Sequence, residues 1–425
     1  MTQRRRTPSR ATTALLATLI LLGSAATVHA TGSVRSAGMA GTVTATVDGV
    51  EGAQANPANL AWFDNPDVAI ELLSTQALIG NNGIDLDLYN ASMKDHLDDT
   101  DKSAILTSIP TDGLSAEAHL GASAMGVQVG RVAVTFSGTA DAATNLPHDV
   151  FELLLMGNAT ADSMSFADAA GEAISLATAR VSTAVTVGHS RWGPIHAGVG
   201  LAYLQGLAYA RLEEVDGNLV TRTDGIHGEA RARLLTAGRG AGFGLDLGAA
   251  AEVGPNWRAS LAVHNAFAQV HFDQDLEVRT FLATVDTLDL ETVEETENED
   301  DLVRSEDEVV ETDPFTVDLP RVLNLGVSRV TGRTRVGLEY EQGFARRAGA
   351  STTPRFGVGA EWRALSWLPL RAGVSIGGRS EKRASAGFGL HVGGFRLDVA
   401  ASTVGTWWPG SPRGVSLAVG TGLQF

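Results

Sequence analysis

One short motif in the chain has the spacing of a reactive serine. Residues 373–377 read Gly-Val-Ser-Ile-Gly, which matches the Gly-x-Ser-x-Gly pattern of hydrolases. In those enzymes the serine lies on a sharp turn between a strand and a helix, where its hydroxyl is exposed. Here Ser375 lies inside a run of alternating apolar and polar residues, which indicates the interior of a strand. We therefore interpret the match as fortuitous.

The other residue types that carry chemistry form no reactive set. The chain has ten histidines and no cysteine, which excludes thiolate metal sites and cysteine nucleophiles. The histidines are scattered and lack the helical spacing of a zinc site, and the Gly-rich stretch 238–244 is not followed by a predicted helix. The net charge of -17 argues against nucleic acid as a partner. The sequence thus predicts no catalytic residues, no metal, no cofactor and no enzyme activity.

The first thirty residues have the features of a secretory signal peptide. Four arginines lie within the first ten residues, an apolar core covers 14–26, and 28–30 form a small-x-small cleavage site. The apolar core is too short to span a membrane as a helix. We predict cleavage after Ala30, with an uncleaved anchor as the alternative. Removal of the four arginines gives the mature chain a charge of -17 - 4 = -21.

From residue 242 to the C-terminus the dominant period is two. In 334–341, Val336 and Leu338 share one face, whereas Arg335, Gly337 and Glu339 share the other. Strict alternation with short connections predicts antiparallel hairpins. A soluble sandwich is the alternative, but its second face would be apolar, whereas here it carries Arg, Glu and Gly. We predict an all-β fold: a transmembrane, antiparallel, up-and-down barrel of about 14 strands, with an N-terminal plug and a few short inserted helices.

Charged residues on the second face are predicted to line the lumen. Mixed charges there would either block free diffusion or line a polar path. The predicted lumen-lining residues are Arg231, Arg233, Glu339, Glu341, Glu361, Arg363, Arg371, Arg396 and Asp398.

The end of the chain favours a membrane barrel over a soluble one. Residues 415–425 alternate and place the terminal Phe425 on the apolar face. This is similar to the insertion signal that the barrel-assembly machinery reads from the last strand of outer-membrane barrels. Most of the seven tryptophans lie at predicted strand ends, as in interfacial aromatic girdles. We therefore expect outer-membrane lipids and the assembly machinery as partners.

The first half of the chain alternates less regularly. Short helices are predicted over 101–109 and 146–157, and the second lies in a predicted helical insertion at about 139–172. Such helices either cover a loop or enter the lumen. An acidic loop at about 286–318 includes 286–313, where fourteen Asp or Glu accompany one Arg. Such a run repels itself and predicts a solvated, partly disordered loop, with cation or partner binding as the alternative. Strands are predicted over 68–79, 84–89, 114–129, 131–138, 173–189, 195–212 and 228–235.

The N-terminal part of the mature chain carries a more specific pattern. Residues 33–41 read Ser-Val-Arg-Ser-Ala-Gly-Met-Ala-Gly, and 55–62 read Ala-Asn-Pro-Ala-Asn-Leu-Ala-Trp. This pair resembles the mature start of the FadL/PorV-like outer-membrane barrels, with Ala40 in place of the usual glycine. The resemblance implies that the segment folds into the barrel as a plug. The predicted plug motif is Gly38, Met39, Gly41, Asn56, Pro57 and Leu60.

The resemblance also gives the expected domains and function. It implies a signal peptide over 1–30, a plug over 31–66 and an outer-membrane barrel over 67–425. The implied function is passage of a hydrophobic or amphipathic small molecule, as in FadL-like transporters. A PorV-like surface scaffold or shuttle for secreted proteins is the first alternative, and a structural barrel without transport is the second.

Overall fold

The computed structural model describes residues 33–93, 97–159, 162–223, 225–288 and 304–425. The predicted signal peptide and most of the acidic run lie outside the described residues. The helices are α1 (Val34–Gly38), α2 (Gly49–Ala55), α3 (Leu86–Ser92), α4 (Asp99–Ser108) and α5 (His148–Met156), with 3-10 helices at Pro57–Ala61 and Gly157–Ala159. The strands are β1 (Val68–Asn81), β2 (Leu114–Val129), β3 (Val132–Leu146), β4 (Ser163–Ser165), β5 (Ala170–Ser190), β6 (Gly193–Arg222), β7 (Gly225–Ala237), β8 (Arg239–Val253), β9 (Trp257–Gln274), β10 (Glu277–Leu288), β11 (Arg304–Glu311), β12 (Phe315–Asp318), β13 (Val322–Thr331), β14 (Thr334–Gly343), β15 (Arg355–Leu365), β16 (Leu368–Gly377), β17 (Lys382–Val392), β18 (Phe395–Val404) and β19 (Gly414–Gln424).

Fourteen of these strands form a closed antiparallel barrel, which confirms the fold predicted from the sequence. The ring runs β1-β2-β3-β5-β6-β8-β9-β13-β14-β15-β16-β17-β18-β19 and closes where β19 pairs with β1. Strands β4, β7, β10, β11 and β12 pair outside this ring order. The 30-residue β6 explains how they attach, because its first part pairs with β8 and its second part with β7.

The barrel wall is apolar outside and polar inside. In β13, Leu325 and Val327 are exposed, whereas the alternating Asn324 and Ser328 are buried. Because a strand points successive side chains to opposite faces, this pattern fits lipid outside and a polar interior. Among the described helices, none has the length and apolar character needed to cross a membrane.

The two ends of the barrel differ. One end carries the start of β1, the terminal Phe425 and six short turns, such as 130–131 and 332–333; we call it the short-turn end. The other carries the connections that contain α3 to α5 and β7 to β12; we call it the long-loop end. Exposed tryptophans mark both ends: Trp192, Trp257, Trp362 and Trp367 at the short-turn end, and Trp407 and Trp408 at the long-loop end. This placement agrees with the predicted girdles.

Local capping explains one wrong strand prediction. Residues 84–89 were expected to be extended, but Leu86–Ser92 form a helix because the Asp85 side chain accepts a hydrogen bond from the Leu88 amide at 2.9 Å. The helices at Asp99–Ser108 and His148–Met156 form as predicted. The insertion between β3 and β5 covers only 147–169, since β3 continues to Leu146. The described end of the acidic run forms the exposed strand β11.

Candidate functional site: a plugged lumen

The N-terminal segment 33–62 lies inside the barrel and is almost completely buried. It contains α1, α2 and the 3-10 helix Pro57–Ala61, joined by turns. The Ser33 side chain caps α1 by accepting from the Ser36 amide at 3.2 Å. Such short helices are unstable alone, so the segment depends on the wall that surrounds it. We call residues 33–62 the plug.

The Met-Ala-Gly turn of the plug is held by an arginine of β15. Ala40 and Gly41 both have positive φ, 53° and 83°, a conformation that glycine adopts more easily than other residues. Arg355 donates to the Ala40 carbonyl at 2.7 Å and to the Gly41 carbonyl at 3.4 Å. A Cβ on Gly41 would overlap this guanidinium. Because Ala40 also has a positive φ, glycine would suit position 40 as well as position 41.

The Asn-Pro-Ala-Asn box fixes the plug to β8 and β9. Asn56, fully buried, donates to the Ala249 and Leu261 carbonyls at 3.1 Å each and accepts from the Ala58 amide at 2.9 Å. The second asparagine, Asn59, donates to the Thr44 and Val47 carbonyls and so ties the box back to the plug itself. Pro57 begins the 3-10 helix, where its missing amide hydrogen costs nothing.

The wall makes room for the plug at glycines on its inner face. A Cβ on Gly198 of β6 would overlap the backbone of Pro57 and Ala58. By contrast, a Cβ on Gly38 of the plug would lie 3.4 Å from the Ala400 Cβ, which is close to an ordinary contact. Close approach is therefore provided more by the wall than by Gly38. Leu60 packs with Ala53, Ala133 and Ala184, and Met39 is 1% exposed.

A buried ion-pair cluster lies between the plug and the wall. Arg35 approaches Asp48 at 3.2 Å and Glu51 at 3.1 Å, so the plug pairs charges within itself. Arg335 of β14 adds a contact to Asp48 at 3.3 Å and a hydrogen bond to the Thr46 carbonyl. Burial opposes ionisation of Asp48, but the guanidinium groups of Arg35 and Arg335 hold the pKa of this carboxyl well below its usual range. Asp48 is therefore ionised at neutral pH.

Glu339 of β14 binds the plug backbone directly. Its carboxylate accepts from the Val43 amide at 2.7 Å, the Thr44 amide at 2.9 Å and the Thr44 hydroxyl at 2.8 Å. It is 4% exposed, and these donors replace the water that a buried carboxylate loses. The Glu339 carboxylate thus binds the plug by accepting three hydrogen bonds from it.

Other predicted lumen residues pair along the wall. Arg371 contacts Glu361 at 2.8 Å and Asp398 at 2.6 Å, and Asp398 also lies 3.1 Å from His391. Glu341 accepts from Arg355 at 2.7 Å, and Arg396 is half-buried on β18. Three residues lie elsewhere: Arg363 is exposed near the short-turn end, and Arg231 and Arg233 lie on β7, outside the ring strands.

The predicted insertion-signal residue lies where the barrel closes. The Phe425 amide donates to the Val68 carbonyl at 2.9 Å, and the Val68 amide donates back at 3.3 Å. Its ring is exposed at the short-turn end. Trp62, in contrast to the girdle tryptophans, is buried in the plug, with the Arg258 guanidinium 4.4 Å from its ring centre.

A cavity of about 170 Å³ lies between the plug and the long-loop end. Plug residues Gly41, Val43 and Thr44 contribute to its lining, as do charged wall residues such as Asp141 and Arg180. Among the described residues, no group of His, Asp and Glu has the arrangement of a metal site. The cavity is thus a mixed polar and apolar chamber bounded by the plug.

One side of this chamber is apolar. Ile174 and Leu176 of β5, Leu204 of β6 and Leu319 line it. They belong to a buried cluster that continues toward the long-loop end through Phe272 and the rings that surround it. Tyr209, Phe272 and Phe315 pack there with ring centres 5.5 to 5.8 Å apart. We call this cluster the apolar wall; it gives the chamber a surface that excludes water.

Sequence reasoning placed Arg335 on the second face but did not include Arg335 or Arg355 among the predicted lumen-lining residues. Arg335 and Arg355 lie on the same inner face as Glu339 and Glu361, so the alternation in β14 and β15 could have identified them. The apolar wall had no such signal, because inward apolar residues on β5 and β6 remove the contrast between the two faces.

Comparison with known proteins supports the fold. A family of unknown function, DUF5723, matches residues 228–402, which is less than half of the chain. No curated protein matches. The toluene transporter TbuX of Ralstonia pickettii is similar in structure with a TM-score of 0.52 and 14% identity, over 92% of this chain and 97% of that chain.

Two further solved structures give the same result. The deltaS2 mutant of the monoaromatic hydrocarbon channel TodX has a TM-score of 0.54 and 12% identity, over 93% of this chain and 99% of that chain. The monoaromatic hydrocarbon channel CymD has a TM-score of 0.50 and 14% identity, over 92% and 97%. At this identity the likeness concerns the fold alone, and the chain has the barrel fold of these channels.

Proposed function

We propose that this chain is an outer-membrane barrel through which a hydrophobic or amphipathic small molecule passes, with the plug as its gate. The observation that carries the proposal is the apolar wall beside an otherwise polar chamber. A pore for polar solutes alone would not require the buried apolar residues Ile174, Leu176 and Leu204 on its inner face. The similar structures are described as channels or transporters for toluene and other monoaromatic hydrocarbons, which agrees with an apolar ligand.

The orientation follows from the two ends of the barrel. Outer-membrane barrels have short periplasmic turns and longer extracellular loops. The long-loop end then faces outside, and a ligand meets the apolar wall first and the plug second. Polar contacts, rather than a continuous apolar core, hold the plug. Its displacement would expose these polar groups and open a water-filled path to the periplasm.

Deletion of the plug tests the gate. We would compare the wild type with a variant lacking residues 33–62 in planar bilayers, measuring single-channel conductance. The proposal predicts a closed wild type and a steadily open deletion variant. Equal conductance in both would remove the plug from the mechanism.

Substitution in the apolar wall tests the ligand class. Leu204→Asn places a polar side chain on the apolar wall, and Ser375→Asn places the same side chain on the polar part of the chamber, on β16. We expect Leu204→Asn to lower the initial rate of toluene uptake into cells with an intact outer membrane by at least tenfold, and Ser375→Asn to lower it less than threefold. Equal effects would contradict a hydrophobic path along this wall.

The PorV-like scaffold remains the second candidate, and one observation favours it. Strands β7, β10 and β11 form a sheet outside the barrel ring, attached at the long-loop end, and β11 is exposed along its whole length. A projecting sheet of this kind offers a surface to a secreted protein. If neither the wild type nor the plug deletion conducts or takes up toluene, the scaffold function gains support.

A further inference from the structure

The connection between β14 and β15 crosses the long-loop end of the lumen. Its tip, Ala348 to Ala350, is buried and lines the chamber, although it belongs to a connection at the open end of the barrel. The tip is a tight turn in which Arg347 and Ala350 exchange backbone hydrogen bonds and Gly349 has a φ of 93°. We call residues 344–351 the crossing loop.

The tip is held by a residue on a distant part of the wall. Glu172 of β5 lies five ring strands from β14, counted through β6, β8, β9 and β13. Its carboxylate accepts from the Arg347 side chain at 2.7 Å, the Ala348 amide at 2.8 Å and the Tyr209 hydroxyl at 2.9 Å. A loop that remained above its own strands could not reach this carboxylate, so it spans the opening.

A second contact holds the same turn from another side. Arg379, in the connection between β16 and β17, donates to the Arg347 and Ala350 carbonyls at 2.8 Å each. Its guanidinium lies 3.7 Å from Glu117 of β2, which also accepts from Ser380 at 2.8 Å. Two connections, β14–β15 and β16–β17, therefore meet above the chamber and contact residues of strands β2 and β5.

The nature of these contacts indicates a closure that opens. The crossing loop covers the chamber with three small residues, Ala348 to Ala350, and Ala348 joins the apolar wall by only a methyl group. Most of its attachment is polar, and the Glu172 carboxylate and the Arg379 guanidinium each make two hydrogen bonds with it. Charge-assisted hydrogen bonds of this kind are specific in geometry and can exchange with water.

We propose that the crossing loop is a lid over the long-loop end of the chamber, with Glu172 as its latch. The role of this lid rests on the proposed function, because a lid and a plug together enclose the ligand between two gates. The closed lid shields the apolar wall from the exterior, and release of Arg347 and Ala348 from Glu172 exposes it. Glu172 is a positioning residue, because it holds the lid rather than the ligand.

Accessibility of the chamber tests the lid without any measurement of transport. The chain has no cysteine, so Thr139→Cys, which lies in the chamber lining on β3, provides a single reporter. The full-length protein would be labelled from outside intact cells with a membrane-impermeant sulfonated maleimide. We expect slow labelling of this parent, and labelling at least ten times faster after adding Glu172→Gln or Arg347→Ala.

Thr353 supplies the control, because it is exposed on the same β14–β15 connection and its hydrogen bond to Ser351 comes from the backbone amide. Thr353→Ala is expected to change the labelling rate less than threefold, and heat-modifiable gel mobility verifies that every variant is folded. Rapid labelling of the parent, or no acceleration by either latch variant, would overturn the lid. These results stand whether or not the barrel conducts or takes up toluene, so a failure of the lid is distinguishable from a failure of the proposed function.

Discussion

Replacement of Glu339 by Gln tests how the plug is attached. The Glu339 carboxylate accepts from two plug amides and one plug hydroxyl, at 2.7 to 2.9 Å. A hydrogen bond to a charged group contributes about 1.5–3 kcal/mol. Glutamine retains one carbonyl oxygen but turns an NH2 group toward donors that had a second acceptor. We estimate a cost of about 3 kcal/mol to the plugged state, taking one charged acceptor as lost and the other as weakened.

This cost has a measurable consequence. Since about 1.4 kcal/mol corresponds to a factor of ten, Glu339→Gln should raise the open probability in planar bilayers about a hundredfold. Asp246→Asn is the matched control, because Asp246 of β8 is also 4% exposed on the inner wall but contacts the wall arginine Arg180 at 3.1 Å. We expect the control to change the open probability less than threefold. A Glu339→Gln barrel as closed as the wild type would refute the reasoning, as would equal opening in both variants.

Three further predictions concern the plug and the terminal strand. Gly41→Leu should open the barrel because the side chain meets Arg355 in a strained conformation, whereas Ala40→Gly in the same turn should leave it closed; both are read as conductance. Because the pKa of Asp48 is held below its usual range, the stabilisation that its ion pairs give the plugged state is complete above about pH 4, the unfolded value, and declines progressively as the pH falls from there toward the lowered folded pKa. Conductance should therefore be constant from about pH 8 to 5 and rise below about pH 4. Deletion of Phe425 should reduce the heat-modifiable, membrane-inserted fraction, and unchanged insertion would argue against an insertion signal.

The strands of the second half could be predicted because each has one apolar and one polar face. In β14, Val336 and Leu338 are exposed to lipid, and Arg335 and Glu339 are buried against the plug. Period two is then visible in the sequence, and the short turns set the antiparallel order. The same alternation indicated which charges point inward, although it could not show that Glu339 binds the plug and Glu361 binds the wall.

Contacts between distant segments had no local signal. The Arg347 side chain meets Glu172, 175 residues earlier in the chain, and only the closure of the ring brings them together. Before that closure is known, residues 344–351 are an ordinary polar connection. The wrong strand at 84–89 has a different cause: a capping aspartate outweighed an apolar alternation only a few residues long.

The irregular first half has a physical cause that bears on function. Ile174, Leu176 and Leu204 point into the lumen, while residues such as Leu201 and Tyr203 on the opposite face of β6 are also apolar. When both faces of a strand are apolar, hydrophobicity no longer alternates, and the pattern that defines a half-buried strand disappears. The loss of alternation in the sequence is therefore a consequence of the apolar wall. Charged residues on β14 and β15 hold one side of the plug, whereas the apolar wall lies on β5 and β6, next to the plug anchors on β8 and β9. The proposed function needs both surfaces, because the gate must release into water while the ligand remains out of it.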